Sequence, residues 1–494
     1  MSSMPSLENR RWYSGMLQQE DWWSVWLGFT FFFLGLLSIF GLDLVGWVAY
    51  PSKWIGAEGL MNSVKPLGKG YQDLGMFGSI LVTYVAFTIP TAIGAYCMRW
   101  DVKKFIGGWT CIFVITYVIW IFGHHAFFAS NMTEREKFGL DYSLSLGGGA
   151  SFILALMVGL IIGNFFKGFA RYLSTAAKPE WFIKTAIVFL GVKVGYMALK
   201  ASGFVFELAI TGAAATIVAY LIFWPGIYLI ARKLFSMPRK VAAVLASAIS
   251  ICGVSAAVAT GGAVRAKPII PVMVSALVVV YAVIELVILP PVFTAVMLDE
   301  PIVAGAAMGM AVKTDGADAA AGAVMDELMC NKKLERDGVQ WGEGYITTAA
   351  IMTKIWIDMF IGLWAFVLAL VWIYRIDRVP GETVPKSEIW HRFPKFVLGY
   401  FFTWFAYLAI LFLLPDHADE AKIGALPVEK GMRKLFFMLT FLSIGIITDF
   451  KKLAESRFGK MIGVYFVALF LFVIPVAVLI AWVFHHGMTV PLLE

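Results

Sequence analysis

The chain predicts an all-α polytopic membrane protein, and three observations predict it. Of its 494 residues, 60% are hydrophobic and only 15% are charged, whereas soluble domains carry about 45–50% apolar and about 25% charged residues. Apolar runs of roughly 20 residues, the length that crosses a hydrocarbon core, recur along the chain. Lysine and arginine concentrate in alternate loops between these runs, the pattern that fixes membrane orientation. The net charge of +7 is accounted for by those loops and calls for no nucleic acid.

Taken in order, the apolar runs give about thirteen transmembrane helices: 25–50, 74–98, 105–130, 147–165, 185–202, 205–230, 241–262, 269–295, 301–325, 346–373, 394–414, 431–448 and 460–486. With the N-terminus cytoplasmic and the spans alternating, the inner segments hold 22 basic residues. These group around Arg10 and Arg11, Arg99 to Lys104, Lys167 to Lys184, Arg232 to Lys240, Arg375 to Lys395 and Lys451 to Lys460. The outer loops hold 12, among them Lys53, Arg135, Arg265, Lys267, Lys333 and Arg336. This orientation puts the C-terminus outside and the protein in a bacterial inner (plasma) membrane. One loop runs against it, because Asp299 and Glu300 fall inside with no basic neighbour. The first 24 residues are polar and Trp-rich, without a cleavage pattern, so the first apolar segment is expected to be retained.

Residues 1–146 read as an N-terminal extension with three transmembrane helices. Its loops are longer, and Pro90 kinks the second span. His124 and His125 close the third span and read as interfacial histidines, since no acidic or cysteine partner stands at ligand spacing. The four cysteines, Cys97, Cys111, Cys252 and Cys330, form no CxxC pair. They imply neither a disulfide framework nor a metal site, and no cofactor is expected.

Residues 147–494 divide as five spans plus five, about 147–295 and 301–486, an inverted repeat. The fourth span of the first half, within ASAISICGVSAAVAT at 246–260, is interrupted by Ser247, Ser250, Cys252, Gly253 and Ser255. Unsatisfied backbone in hydrocarbon costs several kcal/mol, so a mid-span break implies a protein-lined cavity. Helix contact through small residues is the alternative. The fourth span of the second half carries Ser443, Gly445 and Thr448 in FLSIGIITDF at 441–450 and reads as the matching break. Paired breaks in two halves point to a transporter site.

Charged residues at bilayer depth mark pathways. Lys313, Thr314, Asp315 and Asp318 interrupt an Ala/Gly-rich segment at 304–324. The alternative is a re-entrant or extramembrane hairpin with solvated charges. Lys354 and Asp358 are four residues apart and can pair on one helix face, as a structural ion pair or as a coupling site. Lys193, between Gly191 and Gly195, either reaches a cavity or snorkels. Glu285 is the lone acid of its span, suited to a proton or cation, or to a buried hydrogen-bonded acid.

These residues sort into two sets. The substrate-binding set is Ser247, Ser250, Cys252, Gly253, Ser255, Lys193, Lys313, Thr314 and Ser443. Hydroxyls at helix N-termini suit an oxyanion. The ion-coupling set is Asp315, Asp318, Asp358, Lys354 and Glu285, for Na⁺ or H⁺. The expectation is a secondary active transporter of a small anion, working by alternating access, with a cation–proton antiporter as the alternative. Its partners are the small anionic substrate and the lipid bilayer, with a second copy of the chain, as a homodimer, a further candidate. No GxxxxGK[ST], Ser-His-Asp elbow or HExxH occurs, so neither ATP-driven transport nor an enzyme is expected.

At these same residues the chain resembles the sulfate exporter family of conserved membrane proteins. The matching blocks are LMVGLIIGNFF (156–166), KTAIVFLGVKVG (184–195), SAISICGVSAAVATGGAVRA (247–266) and GMAVKTDGADAAAGA (309–323). IMTKIWID (351–358) and LSIGIITDFKKL (442–453) extend them. The resemblance implies a fold related to cation–proton antiporters and bile-acid symporters, with crossed broken helices in a core moving against a second domain. It also implies export of sulfate or a related sulfur oxyanion. The chain departs from that pattern at Lys313, Thr314 and Asp315, where an imidazole and an acid are expected, and at Asp358, where relatives carry arginine.

Overall fold

The computed structural model describes residues 15–130, 132–144, 146–200, 202–267, 269–376, 390, 394–451 and 459–492. Arg10, Arg11, Arg378, Lys386, Arg392, Lys452 and Arg457, counted above to the inner face, lie outside the described residues. Among the described residues, eight helices are long and apolar enough to cross a membrane. They are Glu20–Phe40, Lys69–Cys97, Val102–Gly123, Gly203–Leu234, Ile269–Val296, Tyr345–Ile376, Lys395–Leu413 and Gly459–His485. A ninth arises if Gly149–Phe165 and Lys167–Leu173, bent by 118°, form one span.

The expected first span moves toward the N-terminus. Helix α1, Glu20–Leu36, ends in a 3₁₀ turn at Leu37–Phe40. Beyond it, β1 (Ala49–Pro51) pairs antiparallel with β2 (Val64–Pro66), with Ala49 opposite Pro66. This two-stranded sheet is the exception to an otherwise helical chain among the described residues. Helix α2 (Gly75–Cys97) carries Pro90, and α3 (Val102–Gly123) follows it. His124 is buried, its Nδ1 2.9 Å from the Trp120 carbonyl oxygen and 3.2 Å from Ser151 Oγ.

Two layers follow. The first is a scaffold of α4 (Gly149–Phe165), α6 (Pro179–Lys200), α15 (Lys395–Leu413) and α17 (Arg433–Ile447), with the short α5 (Lys167–Leu173) beside α4. Helix α6 packs on α15 through Gly191 and Gly195, where a Cβ at Gly195 would stand 2.8 Å from the Trp404 carbonyl oxygen. The N-terminal helices pack on this scaffold, α1 on α6 and α15, and α3 on α4 and α17. Lys184 Nζ donates to Asp21 Oδ1 at 2.7 Å across that seam.

The second layer is built on α7 (Ser202–Leu229), α10 (Ile269–Val296) and α13 (Tyr345–Met359), which continues as α14 (Ile361–Val371). It holds the two interrupted segments, and both differ from expectation. Helices α8 (Arg239–Ser250) and α9 (Val254–Ala263) do not run on as one span. A straight course would put Lys240 and Arg265 roughly 38 Å apart, yet Lys240 Nζ donates to the Arg265 carbonyl at 3.3 Å. Helices α11 (Pro301–Ala311) and α12 (Asp315–Asp337) fold back likewise, since Arg336 Nη1 donates to Asp299 Oδ2 at 3.2 Å. The expected spans 241–262 and 301–325 are therefore re-entrant hairpins.

They enter from opposite faces. The run Gly459–His485, comprising α18 (Gly459–Phe466) and α19 (Ile474–His485), is about 40 Å long and marks both faces. At one end a Cβ on Gly463 would touch Phe235 Cε1 at 2.9 Å, just before α8. At the other, His486 Nδ1 lies 2.6 Å from Glu300 Oε1, just before α11. Three of the four arms have 10 to 12 residues and reach about 15–18 Å, half of a 30 Å hydrocarbon core, which puts the tips near its middle; the fourth, α12, has 23 residues.

The other expected break does not fall at Ser443 or Gly445 but at the end of the helix. Helix α17 runs continuously through Ser443 and Gly445 and ends at Ile447, with Thr448 extended. The two real breaks, at 251–253 and 312–314, flank α10 instead of recurring at the fourth span of each half. Small polar residues in α17 serve close approach: a Cβ at Gly445 would stand 2.6 Å from the Leu156 carbonyl oxygen of α4.

At the open end of the second hairpin, the hydrogen bond from Arg336, assisted by Lys333, holds the Asp299 carboxyl below the usual carboxylate range. A depressed acid keeps its pairing above the unfolded value near 4 and loses it as pH falls further, so this clamp stays closed at neutral pH. Impermeant maleimide labelling, with the native cysteines replaced, tests the topology. Cysteines at Arg239 and Lys267 should label from one face, and cysteines at Asp299 and Lys332 from the other. Opposite-face labelling within either pair would restore straight spans.

Candidate functional site

The site is the place where the hairpin tips touch. Gly253 takes φ +61 and ψ −101, and a Cβ there would stand 2.7 Å from the Lys313 carbonyl oxygen. Only glycine allows both that backbone and that approach. On the second tip, Val312 and Thr314 are extended, and Thr314 caps α12 by accepting from the Ala317 N–H at 3.2 Å.

Unwound backbone at this depth must find partners within the protein, and neighbouring helices supply them. From α13, Lys354 Nζ donates to the Ile251 carbonyl at 2.8 Å and to the Val312 carbonyl at 3.3 Å, one from each tip. From α10, Glu285 Oε2 accepts the Lys313 N–H at 3.3 Å. Lys313 Nζ turns back to the Met310 carbonyl and lies 5.4 Å from the Phe223 ring centre. Both intramembrane lysines of the site are thus engaged by backbone carbonyls. The expected pairing of Lys354 with Asp358 is not formed; the ammonium donates to the two tip carbonyls instead.

The carboxylates are left without donors. Asp318 and Asp358 have neither oxygen hydrogen-bonded, and Asp315 Oδ1 and Glu285 Oε1 also lack a partner. All four residues are buried. Asp315 and Asp318 occupy the first turn of α12, where acids match the helix dipole. Asp358 stands against Asp315, with Lys354 and Asp318 in electrostatic range. Four acids thus surround two ammonium groups. The helix N-terminus expected to receive an oxyanion is already filled by these aspartates.

The remaining expected residues scatter. Ser247 accepts from Trp224 Nε1 at 2.8 Å, and Ser250 donates to the Ala246 carbonyl at 2.6 Å within its own helix. Cys252 is buried at the first tip, and Ser255 begins α9 with a side chain outside the described residues. Ser443 lies on α17, whose Thr440 methyl would be 3.5 Å from a Cβ at Gly316, so it borders the second tip. Lys193 belongs elsewhere, near Gly344, Asp326 and Glu429, not at the tips.

Sequence reasoning missed Asp326, which accepts backbone N–H groups of Gly344, Ile346 and Thr347 at 2.7, 2.9 and 3.2 Å and so caps α13. It also missed Lys434, 3.6 Å from Glu327, and Tyr220, whose hydroxyl donates to the Ile357 carbonyl at 2.6 Å. Arg433 and Lys434 were detectable as charges inside an apolar run. Asp326 carried no such signal, since it stands at the edge of a polar loop.

Removing the ammonium that joins the tips should be costly. Lys354→Met is expected to lower stability by about 2–3 kcal/mol, the scale of a charged hydrogen bond to a buried acceptor, measured as thermal unfolding in detergent. Gly253→Ala should also destabilise, by more than about 1 kcal/mol, through its positive φ. Wild-type melting of both variants would show that the tips are not held this way.

Among known proteins, the model of the family described as conserved hypothetical protein 698 matches residues 144–479. A UPF0324 membrane protein of Nitrosomonas europaea is 52% identical over 490 residues, 98% of this chain and 99% of that protein. A UPF0324 membrane protein of Rhodopirellula baltica is 32% identical over 354 residues, 70% of this chain and 58% of that protein. One of Nitratidesulfovibrio vulgaris is 29% identical over 397 residues, 78% of this chain and 61% of that protein. No solved structure matches. With its apolar helices and a family match across both hairpins, the chain belongs to the conserved hypothetical protein 698 family of membrane proteins.

Proposed function

We propose that the protein is a secondary active transporter of a small anion, sulfate, a sulfonate or a similar oxyanion, coupled to H⁺ at the hairpin tips. The observation that carries this reading is the set of buried carboxylate oxygens without donors where two opposed hairpins meet. Uncompensated buried charge is too costly to persist, so a cluster of four acids and two ammonium groups takes up cations. Asp315 and Asp358, facing each other, are placed to share a proton. Na⁺ is the alternative coupling ion. Each hairpin is a gate: withdrawing the first tip exposes the cluster to one face, and withdrawing the second exposes it to the other.

In this reading residues 147–494 carry transport and residues 1–146 brace the scaffold. The protein sits in a bacterial inner membrane with its N-terminus cytoplasmic. That orientation gains from the hairpins. Arg265 and Lys267 pass to the inner face and Asp299 and Glu300 to the outer, moving the basic tally to 24 inside against 10 outside. A second reading, a cation–proton antiporter, is favoured by the engagement of Lys313 and Lys354 with carbonyls, which leaves the cluster acidic.

Proteoliposomes with an imposed pH gradient and an internal pH dye separate the readings. Proton flux that requires external sulfate or a sulfonate, and that falls at least tenfold in Asp315→Asn and Asp358→Asn, is the expected result. Flux driven by Na⁺ without any anion would select the antiporter. Flux unchanged in both variants would remove the carboxylate cluster from the mechanism.

A further inference from the structure

Away from the hairpin tips, a cavity of about 300 Å³ opens between α6, α15 and α16 (Ala418–Leu426). Its wall is apolar and aromatic, from Val192, Tyr407, Ile423 and Leu426. Three charged side chains also line it, Lys193, Lys422 and Glu429. Two are already answered. Lys422 Nζ lies 2.7 Å from Asp419 Oδ1, and Glu429 Oε2 lies 3.9 Å from Arg433 Nη2. Lys193 has no hydrogen-bond or ion-pair partner among the described residues.

Glu429, Asp326 and Glu343 lie in electrostatic range of Lys193 without pairing to it: Asp326 accepts three backbone N–H groups, and Glu343 also lies in the field of Lys434. On its far side the ammonium rests on Gly344, at φ +92, where any Cβ would collide with Nζ. A π-helical turn at Pro427–Met432 carries Glu429 past the cavity, and such turns concentrate at functional sites. An apolar pocket of this size with a few polar groups is the form of a small-molecule site, and of its two ammonium groups Lys193 is the one without an ion-pair partner among the described residues.

We propose that this cavity binds a compact organic anion with an apolar body, an alkyl sulfonate or carboxylate, its head on Lys193 and its chain against Tyr407, Ile423 and Leu426. Inorganic sulfate fits poorly, since it would leave the apolar wall uncovered and set two charges against one ammonium in an apolar cavity. The site is separate from the hairpin tips and does not depend on the transport reading. A soluble alkyl anion and an anionic lipid, whose charged headgroup carries an acyl chain, share this chemistry.

The test is calorimetric binding to the full chain in zwitterionic nanodiscs, with hexanesulfonate, hexanoate, sulfate and hexyltrimethylammonium as probes. Both hexyl anions should bind at least tenfold tighter than sulfate or the cation. Lys193→Met should weaken them at least tenfold, and Lys193→Arg should retain them. Ile423→Glu, at an exposed wall position, gives the same loss by repulsion should the buried substitution fail to fold. Repeating the titration with anionic lipid distinguishes the sources: lost hexanesulfonate binding assigns the cavity to lipid, and retained binding assigns it to a soluble anion. Binding unaffected by Lys193→Met and Ile423→Glu, or equal affinity for hexyltrimethylammonium, would overturn the proposal.

Discussion

One ammonium group holds the centre of this protein together. Lys354 donates to a carbonyl from each of two hairpin tips that come from opposite faces. The helical ladder stops at each tip. A backbone carbonyl left bare in hydrocarbon costs several kcal/mol, so one ammonium that serves a carbonyl of each tip ties the tips to each other. Glu285 does the converse for the Lys313 N–H. The irregular backbone is thereby paid in side chains from α10 and α13, the two helices that also flank the hairpins.

That arrangement has an electrostatic consequence. With Lys354 and Lys313 turned to carbonyls, the acids around them lose the counter-charges that sequence spacing offered. Asp358 is left facing Asp315, and both Asp318 oxygens are bare. Asp315 also lies within range of Glu180 and Lys184 on α6, so the cluster borders the scaffold layer as well as the hairpin layer. A change in its charge acts on the seam between them.

The N-terminal helices share in this architecture. Asp21 on α1 accepts from Lys184 at the start of α6, and Phe87 on α2 packs against Phe436 of α17 with ring centres 5.2 Å apart. Helices α6 and α17 are therefore clamped on the side away from the hairpins. One layer braced by the N-terminal helices thus faces the layer that carries the two hairpins, an arrangement that the chain's composition does not announce.

The sequence by itself determined that this is a helical membrane protein, where its apolar segments lie, and which polar residues stand at depth, because hydrocarbon selects composition and length directly. Gly253, Asp315, Asp318 and Glu285 were legible for that reason: each is costly in lipid unless it has a task. Whether an interrupted segment crosses or turns back was decided only by the tertiary structure. A 10-residue arm followed by a bend has the same composition either way, and the deciding contacts, Lys240 with Arg265 and Arg336 with Asp299, join residues 25 and 37 positions apart. The same holds for Lys354, whose partners are chosen by which carbonyls the fold leaves open and not by the acid one helical turn away.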